Sequence, residues 1–153
     1  MTKPVTLEDI KARQIKLSEM IARFEAQDKT ECVIPETAIV LRAGERYAGI
    51  ILDDVGNPYY HLILLPGEKE GIEWIESSYW AADQGGTLPT LREQSLLFTN
   101  LKDQFASTCY WSCERHKDFS GRAWYQRFDY GEQDTTDVHS KLHARVVRRV
   151  YIG

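Results

Sequence analysis

From Leu7 to about Asp28 the chain contains neither glycine nor proline, and Thr6 followed three residues later by Asp9 has the form of a capping box. Such a run predicts one continuous helix, about 33 Å long at 1.5 Å per residue. Leu7, Ile10, Leu17, Ile21 and Phe24 occupy the a and d positions of a heptad, with the polar Gln14 at the intervening a site. That is the spacing of a coiled-coil seam, which Ile15 and Met20 widen. The seam predicts oligomerisation through Leu7, Ile10, Gln14, Leu17, Ile21 and Phe24. Docking on the chain's own domain and capture of a partner are the alternative uses of the same face. A change of grammar at Gln27–Thr30 divides the chain into residues 1–30, the helical segment, and 31–153, a separate domain.

The second segment reads as short strands broken by turn chemistry. Thr37–Leu41, Arg46–Leu52 and Tyr59–Leu65 are β-rich runs, joined by Arg42–Glu45 and by the turn cluster Asp53–Pro58, and predict three successive antiparallel strands. Pro66–Gly71 closes that meander. Ile72–Ala82 reads as a short helix or a strand-to-helix transition. Thr90-Leu91-Arg92-Glu93 is a second capping box, opening a helix whose Leu91, Leu96, Leu97 and Leu101 can cover a core. Cys109–Cys113, Ala123–Tyr130 and Leu142–Tyr151 are further strands, with loops at His116–Gly121 and Gly131–Asp137. The fold class expected is α+β.

An ordered set of motifs then carries a resemblance. Leu88-Pro89-Thr90 with Glu93, Leu97 and Phe98 comes first, then Tyr110-Trp111-Ser112-Cys113-Glu114. Ala123-Trp124-Tyr125 with Phe128 and Gly131 follows, and Arg145-Val146-Val147-Arg148 closes the set. Together they resemble the bacterial and phage domain of unknown function that also forms the C-terminal domain of a Legionella collagen-like adhesin. Cys113 stands where the family has a second Ser, and Val147 where it has Ala. The resemblance covers roughly residues 80–150. It implies a C-type-lectin-like domain of short antiparallel strands with two helices, distantly similar to the formylglycine-generating enzyme fold. It also implies a non-catalytic binding module of phage or prophage origin, with aromatic strand residues in the core and loops as the ligand surface. The ligand residues expected on those loops are Phe119, Arg122, Tyr130 and Asp134. A tail-associated or receptor-binding component is the leading expectation. A cytoplasmic phage accessory protein that modulates a host protein, such as an antiphage defence component, is the alternative, and a formylglycine-generating type of enzyme comes third.

The residues offer little chemistry beyond this. Cys109 and Cys113, i and i+4 on a strand, would face one way about 13 Å apart, too far for a disulfide or a shared metal, and are expected as buried structural thiols. His139 and His143 would face together on a helix but diverge on a strand, and His61 and His116 have no acid at motif spacing, so no metal is expected. A calcium-type sugar signature, a nucleophile elbow around Ser112 and a phosphate loop after Gly85-Gly86 are all missing, so neither an enzyme nor a cofactor is expected. A net charge of −4 argues against nucleic acid, although residues 139–153 carry Lys141, Arg145, Arg148 and Arg149 and no acid. Those arginines are expected to pair with the surplus acids. No apolar run approaches the roughly 20 residues of a membrane span, and Met1–Thr6 leads into a charged segment rather than a signal peptide. The expected setting is the cytoplasm of a bacterial host or the virion. The expected partners are a protein or glycan ligand and further copies of the chain.

Overall fold

A computed structural model describes residues 3–28 and 31–153, and among these residues two sheets, three α-helices and one short 3-10 helix form an α+β architecture. The chain divides after Val33 into two units. In the first, helix α1 (Leu7–Asp28) begins where its capping box predicts. The Thr6 amide donates to Asp9 Oδ2 at 3.0 Å and the Asp9 amide to Thr6 Oγ1 at 3.2 Å. Leu7, Ile10, Leu17, Ile21 and Phe24 are all exposed along it. A lone helix has no second element in its own unit against which to bury such a stripe.

In the second unit, strands β1 (Arg46–Leu52), β2 (Pro58–Leu64) and β8 (Val147–Tyr151) form an antiparallel sheet in the order β1-β2-β8. The other sheet takes β3 (Lys69–Ile72), β7 (Leu142–Ala144), β4 (Cys109–Arg115), β5 (Arg122–Arg127) and β6 (Gln133–Asp137) in the order β3-β7-β4-β5-β6. It is mixed, because β4 and β7 run parallel. Helices α2 (Trp74–Asp83) and α3 (Leu91–Leu101) come between β3 and β4 in the chain.

The apolar run Leu62-Ile63-Leu64-Leu65 is uninterrupted because β2 lies between two cores. Ile63 and Leu65 pack with Trp111, Ala81, Leu88 and Val146, whereas Tyr60, Leu62 and Leu64 pack with Leu97, Tyr110, Phe128 and Val147. β4 is shared in the same way: Trp111 enters the first cluster and Tyr110 the second. The buried indole of Trp111 and the half-buried one of Trp74 also bind backbone, Trp111 Nε1 donating to Ile72 O and Trp74 Nε1 to Ser112 O, both at 2.8 Å. Gly86 is required where the chain passes under β8, since a Cβ there would lie 2.4 Å from Val147 O.

Four expectations from the sequence need correction. Thr37–Leu41 is not a strand: Val40 is exposed, and its carbonyl accepts from Arg148 Nη2 at 3.1 Å instead of from a neighbouring strand. Pro66–Gly71 is not only a turn, because β3 begins at Lys69 and pairs with β7. Gly131–Asp137 is mostly the strand β6, paired with β5 from Arg122↔Asp137 to Gln126↔Gln133. Leu142–Tyr151 is two strands in different sheets, because the buried Arg145 breaks the run. Its guanidinium donates to Leu65 O at 3.0 Å and to Gln104 O, and lies over the Phe105 ring. Arg145 thus pairs with carbonyls rather than with an acid.

Arg148 does find an acid. Its Nε and Nη2 donate to the two oxygens of buried Glu45 at 2.7 and 2.9 Å. Those bonds outweigh burial and hold the Glu45 carboxyl down at about 2, against an ordinary 4.5. A depressed folded value means the stabilisation is complete above the unfolded value and is lost as pH falls from there toward the folded one. Urea melts of wild type and Arg148→Met between about pH 5 and pH 2.5 test this. The variant is expected to be the less stable at the upper end and to lose less stability on acidification; parallel pH dependences would contradict the pairing.

Candidate functional site

The four predicted ligand residues do not converge on one patch. Phe119 lies exposed in the β4–β5 loop, its ring 4.9 Å from that of His116, which stacks in turn on Trp124. His116 Nδ1 accepts from the Asp118 and Phe119 amides at 3.0 and 3.1 Å, and these two bonds fold the loop. Arg122, at the same end of β5, donates from Nε to Thr135 Oγ1 at 3.0 Å. Tyr130 is exposed beyond the other end of β5, about 16 Å of strand away. Asp134 sits on β6 opposite Tyr125 and accepts from the Thr135 amide. The expected loop surface is therefore two separate corners joined by an edge strand.

A tighter grouping forms where the first and last parts of the domain pair. Tyr60 on β2 is registered with Tyr151 on β8, and Tyr59 O accepts from the Ile152 amide at 2.9 Å. The three tyrosine rings lie 5.2 to 5.3 Å from one another, Tyr59 46% and Tyr151 58% exposed while Tyr60 is buried. An open groove of about 340 Å³ runs beside them, lined by Leu52, Asp53, Asp54, Tyr59, Tyr60, Arg92 and Glu114 among others. On the other side a shallower hollow is lined by Gly85, Thr87, Arg148, Arg149 and Tyr151. Nothing in the sequence connects Tyr59 with Tyr151; only the β2–β8 pairing does.

The platform rests on a buried charge. Glu93, fully buried near the start of α3, accepts from Arg149 Nε at 2.6 Å and Nη2 at 2.7 Å, from the Tyr60 hydroxyl at 2.5 Å and from the Thr90 amide at 2.8 Å. Thr90 Oγ1 returns the capping box by accepting from the Glu93 amide at 3.1 Å. Burial pushes the Glu93 carboxyl up, but the bonds from Arg149, Tyr60 and Thr90 together bring it below its ordinary value. Burial and the adjacent carboxylate hold the Tyr60 phenol far above its ordinary range. Arg149 Nη1 also donates to Thr87 Oγ1 at 3.0 Å.

The remaining candidates are dispersed. Cys113 is exposed rather than buried, because only the first residues of β4 point into the cores, and Cys109 is half-buried with its thiol pushed up by burial. His139 and His143 turn to different acids: His139 Nδ1 lies 3.3 Å from Glu73 Oε2, and His143 Nδ1 lies 3.4 Å from Glu68 Oε2. His61 is buried, its Nδ1 bonded to the Tyr47 hydroxyl at 2.8 Å. No helix among the described residues is long and apolar enough to cross a membrane. No protein-family model matches the chain, and no curated protein matches it.

Removing one partner of a buried, hydrogen-bonded ion pair leaves the other charge uncompensated. Glu93→Ala is expected to lower the unfolding free energy by about 3–5 kcal/mol. In a double-mutant cycle with Arg149→Ala, measured by guanidinium melts, the combined loss should fall well short of the sum of the two single losses. Additive losses would mean that the pair does not act as a unit.

Proposed function

We propose that the chain is a non-catalytic binding protein in which a C-type-lectin-like domain presents the tyrosine surface at the end of the β2–β8 pair to a protein or glycan ligand, with α1 as its oligomerising segment. The observation that carries this reading is the mutual packing of Tyr59, Tyr60 and Tyr151 beside an open groove, above the Glu93–Arg149 pair. Tyrosine gives large contact area for the freezing of two side-chain torsions, and a surface already held in place loses less entropy when a ligand docks. The flanking Arg92, Glu114 and Asp53 supply the polar rim that such surfaces use for orientation.

The order of short antiparallel strands, two helices and further strands agrees with the domain type that the motifs resemble. On that resemblance the source is a phage or prophage and the protein a tail-associated or receptor-binding component. The most deeply buried acid, Glu93, is engaged by Arg149, Tyr60 and Thr90, which leaves it a structural group rather than an acid–base catalyst. The exposed heptad stripe of α1 supports assembly through that helix.

Tagged full-length protein captured against purified virions and host lysate provides the test, with affinity then measured on the recovered ligand. The double substitution Tyr59→Ala/Tyr151→Ala is expected to weaken binding at least about 30-fold, the scale of an interface hot spot, with the fold retained. Alanine at Phe119, Arg122, Tyr130 and Asp134 should change it far less. Unchanged affinity in the tyrosine variant would reject the surface. For the helix, light scattering should show the mass falling to that of a monomer in Leu17→Glu/Ile21→Glu; an unchanged mass would remove the seam from the assembly.

A further inference from the structure

Two adjacent strands of the larger sheet, β3 and β7, bring donors of metal-binding type to one place that neither the motifs nor the tyrosine surface involve. β3 and β7 are antiparallel neighbours, with Lys69 registered on Ala144 and Ile72 on Leu142, and a register shift falls between those pairs, where Glu70 and Gly71 lie. His143 stands between the two registered residues of β7, and Glu68 lies just ahead of β3. The result is that one donor atom from each of Glu68, Glu70 and His143 lies within 4.8 Å of the other two. We propose that these three residues bind a divalent transition-metal ion of the zinc type.

The spacing suits an ion of that size. Donors held about 2.1 Å from a tetrahedral centre are separated by roughly 3.4 Å. His143 Nδ1 and Glu68 Oε2 stand 3.4 Å apart, long for a hydrogen bond and right for two ligands of one ion. Glu70 is exposed and can close the remaining distance by side-chain rotation. One imidazole and two carboxylates form a mixed nitrogen and oxygen set, which selects zinc-like ions over magnesium and calcium with their preference for oxygen alone. Three protein ligands leave a fourth position for water.

A buried residue orients the first ligand. The Tyr110 hydroxyl donates to Glu68 Oε1, which turns the other oxygen, Oε2, toward His143. Tyr110 is registered on His143 across the parallel β4–β7 pair, and its ring packs edge-on against the imidazole at 5.4 Å. Both ligands are thus positioned by a group that does not itself bind the ion, the usual role of an outer shell. Glu68 lines an open groove of about 550 Å³ through which an ion can enter. Arg145 lines the same groove and opposes a cation there, but its guanidinium is directed to the carbonyls of Leu65 and Gln104. His139 supplies an internal control, since it faces the carboxylate of Glu73 and belongs to no three-donor cluster among the described residues.

The test uses the full chain, stripped with EDTA and titrated with zinc against a chromophoric chelator and with cobalt by visible absorption. One equivalent of ion is expected, with a cobalt spectrum of the intense four-coordinate type. Glu70→Gln and His143→Gln should each weaken zinc binding at least about tenfold, Tyr110→Phe about tenfold, and His139→Ala should leave it unchanged. Zinc should raise the melting temperature of wild type and not of Glu70→Gln, an exposed position whose substitution leaves the fold intact. Equal zinc affinity in wild type, Glu70→Gln and His143→Gln would overturn the proposal, as would loss of binding in His139→Ala or a cobalt spectrum of solvated ion only.

Discussion

A single buried carboxylate, that of Glu93, sets the relation between α3 and the sheet that closes the domain. Burying it alone would be prohibitive, since an isolated carboxylate in a low-dielectric interior costs several kcal/mol or more. It is tolerated because donors from three places converge on it: Arg149 of β8, Tyr60 of β2 and the Thr90 amide at the helix start. The positive end of α3 adds to the same balance. Since Arg149 and Tyr60 belong to the last and the second strand, the helix can dock only where those strands are already paired. The aromatic surface above them inherits that order, with Arg149 also lying 5.9 Å from the centre of the Tyr60 ring.

The next residue along extends the connection to the other sheet. Gln94, also fully buried, donates from Nε2 to Tyr110 O and Trp111 O, both at 3.1 Å. Gln126 Nε2 donates to Gln94 O at 3.0 Å, and Gln133 Nε2 to Gln126 Oε1 at 2.7 Å. A chain of amides therefore runs from α3 through β4 and β5 to the edge strand β6. These amides bond backbone and one another in an interior where an unpaired polar group is expensive, although Gln94 Oε1 itself is buried without a hydrogen-bond partner. Two neighbouring polar residues of one helix thus hold one sheet each, and Leu97, one turn further on, fills the apolar space beside them.

Some of this was legible in the residues. Both capping boxes mark their helices, because a Thr with an acid three residues on is a local signal that needs no tertiary partner. β1 was readable for a similar reason, being bounded by turn residues at both ends. The misreadings share a different cause. Thr37–Leu41 has strand composition, yet an arginine from the far end of the chain takes its carbonyl. The strands β3 and β6 have charged and polar sequences that pattern cannot tell from loops, and they exist because β7 and β5 offer ladders. Val146 and Val147 look like the middle of one strand, and only the burial of Arg145 shows the crossing from one sheet to the other. Phe119 and Arg122 at one end of β5 stand about 16 Å of strand from Tyr130 at the other, whereas Tyr59 and Tyr151, 92 residues apart in number, meet through a pairing that no local signal encodes.

A domain whose second and last strands are locked to a central helix should open only as a whole, and the tyrosine surface should be as stable as the core beneath it. Native-state hydrogen exchange across β2, β8 and the first turn of α3 measures this directly. The account predicts that the amides of Leu62, Arg149 and Glu93 exchange with the free energy of global unfolding and respond together to denaturant. Exchange of the β8 amides through a smaller, separate opening, with α3 still protected, would show that the closing strand detaches by itself and would contradict the central role given to Glu93.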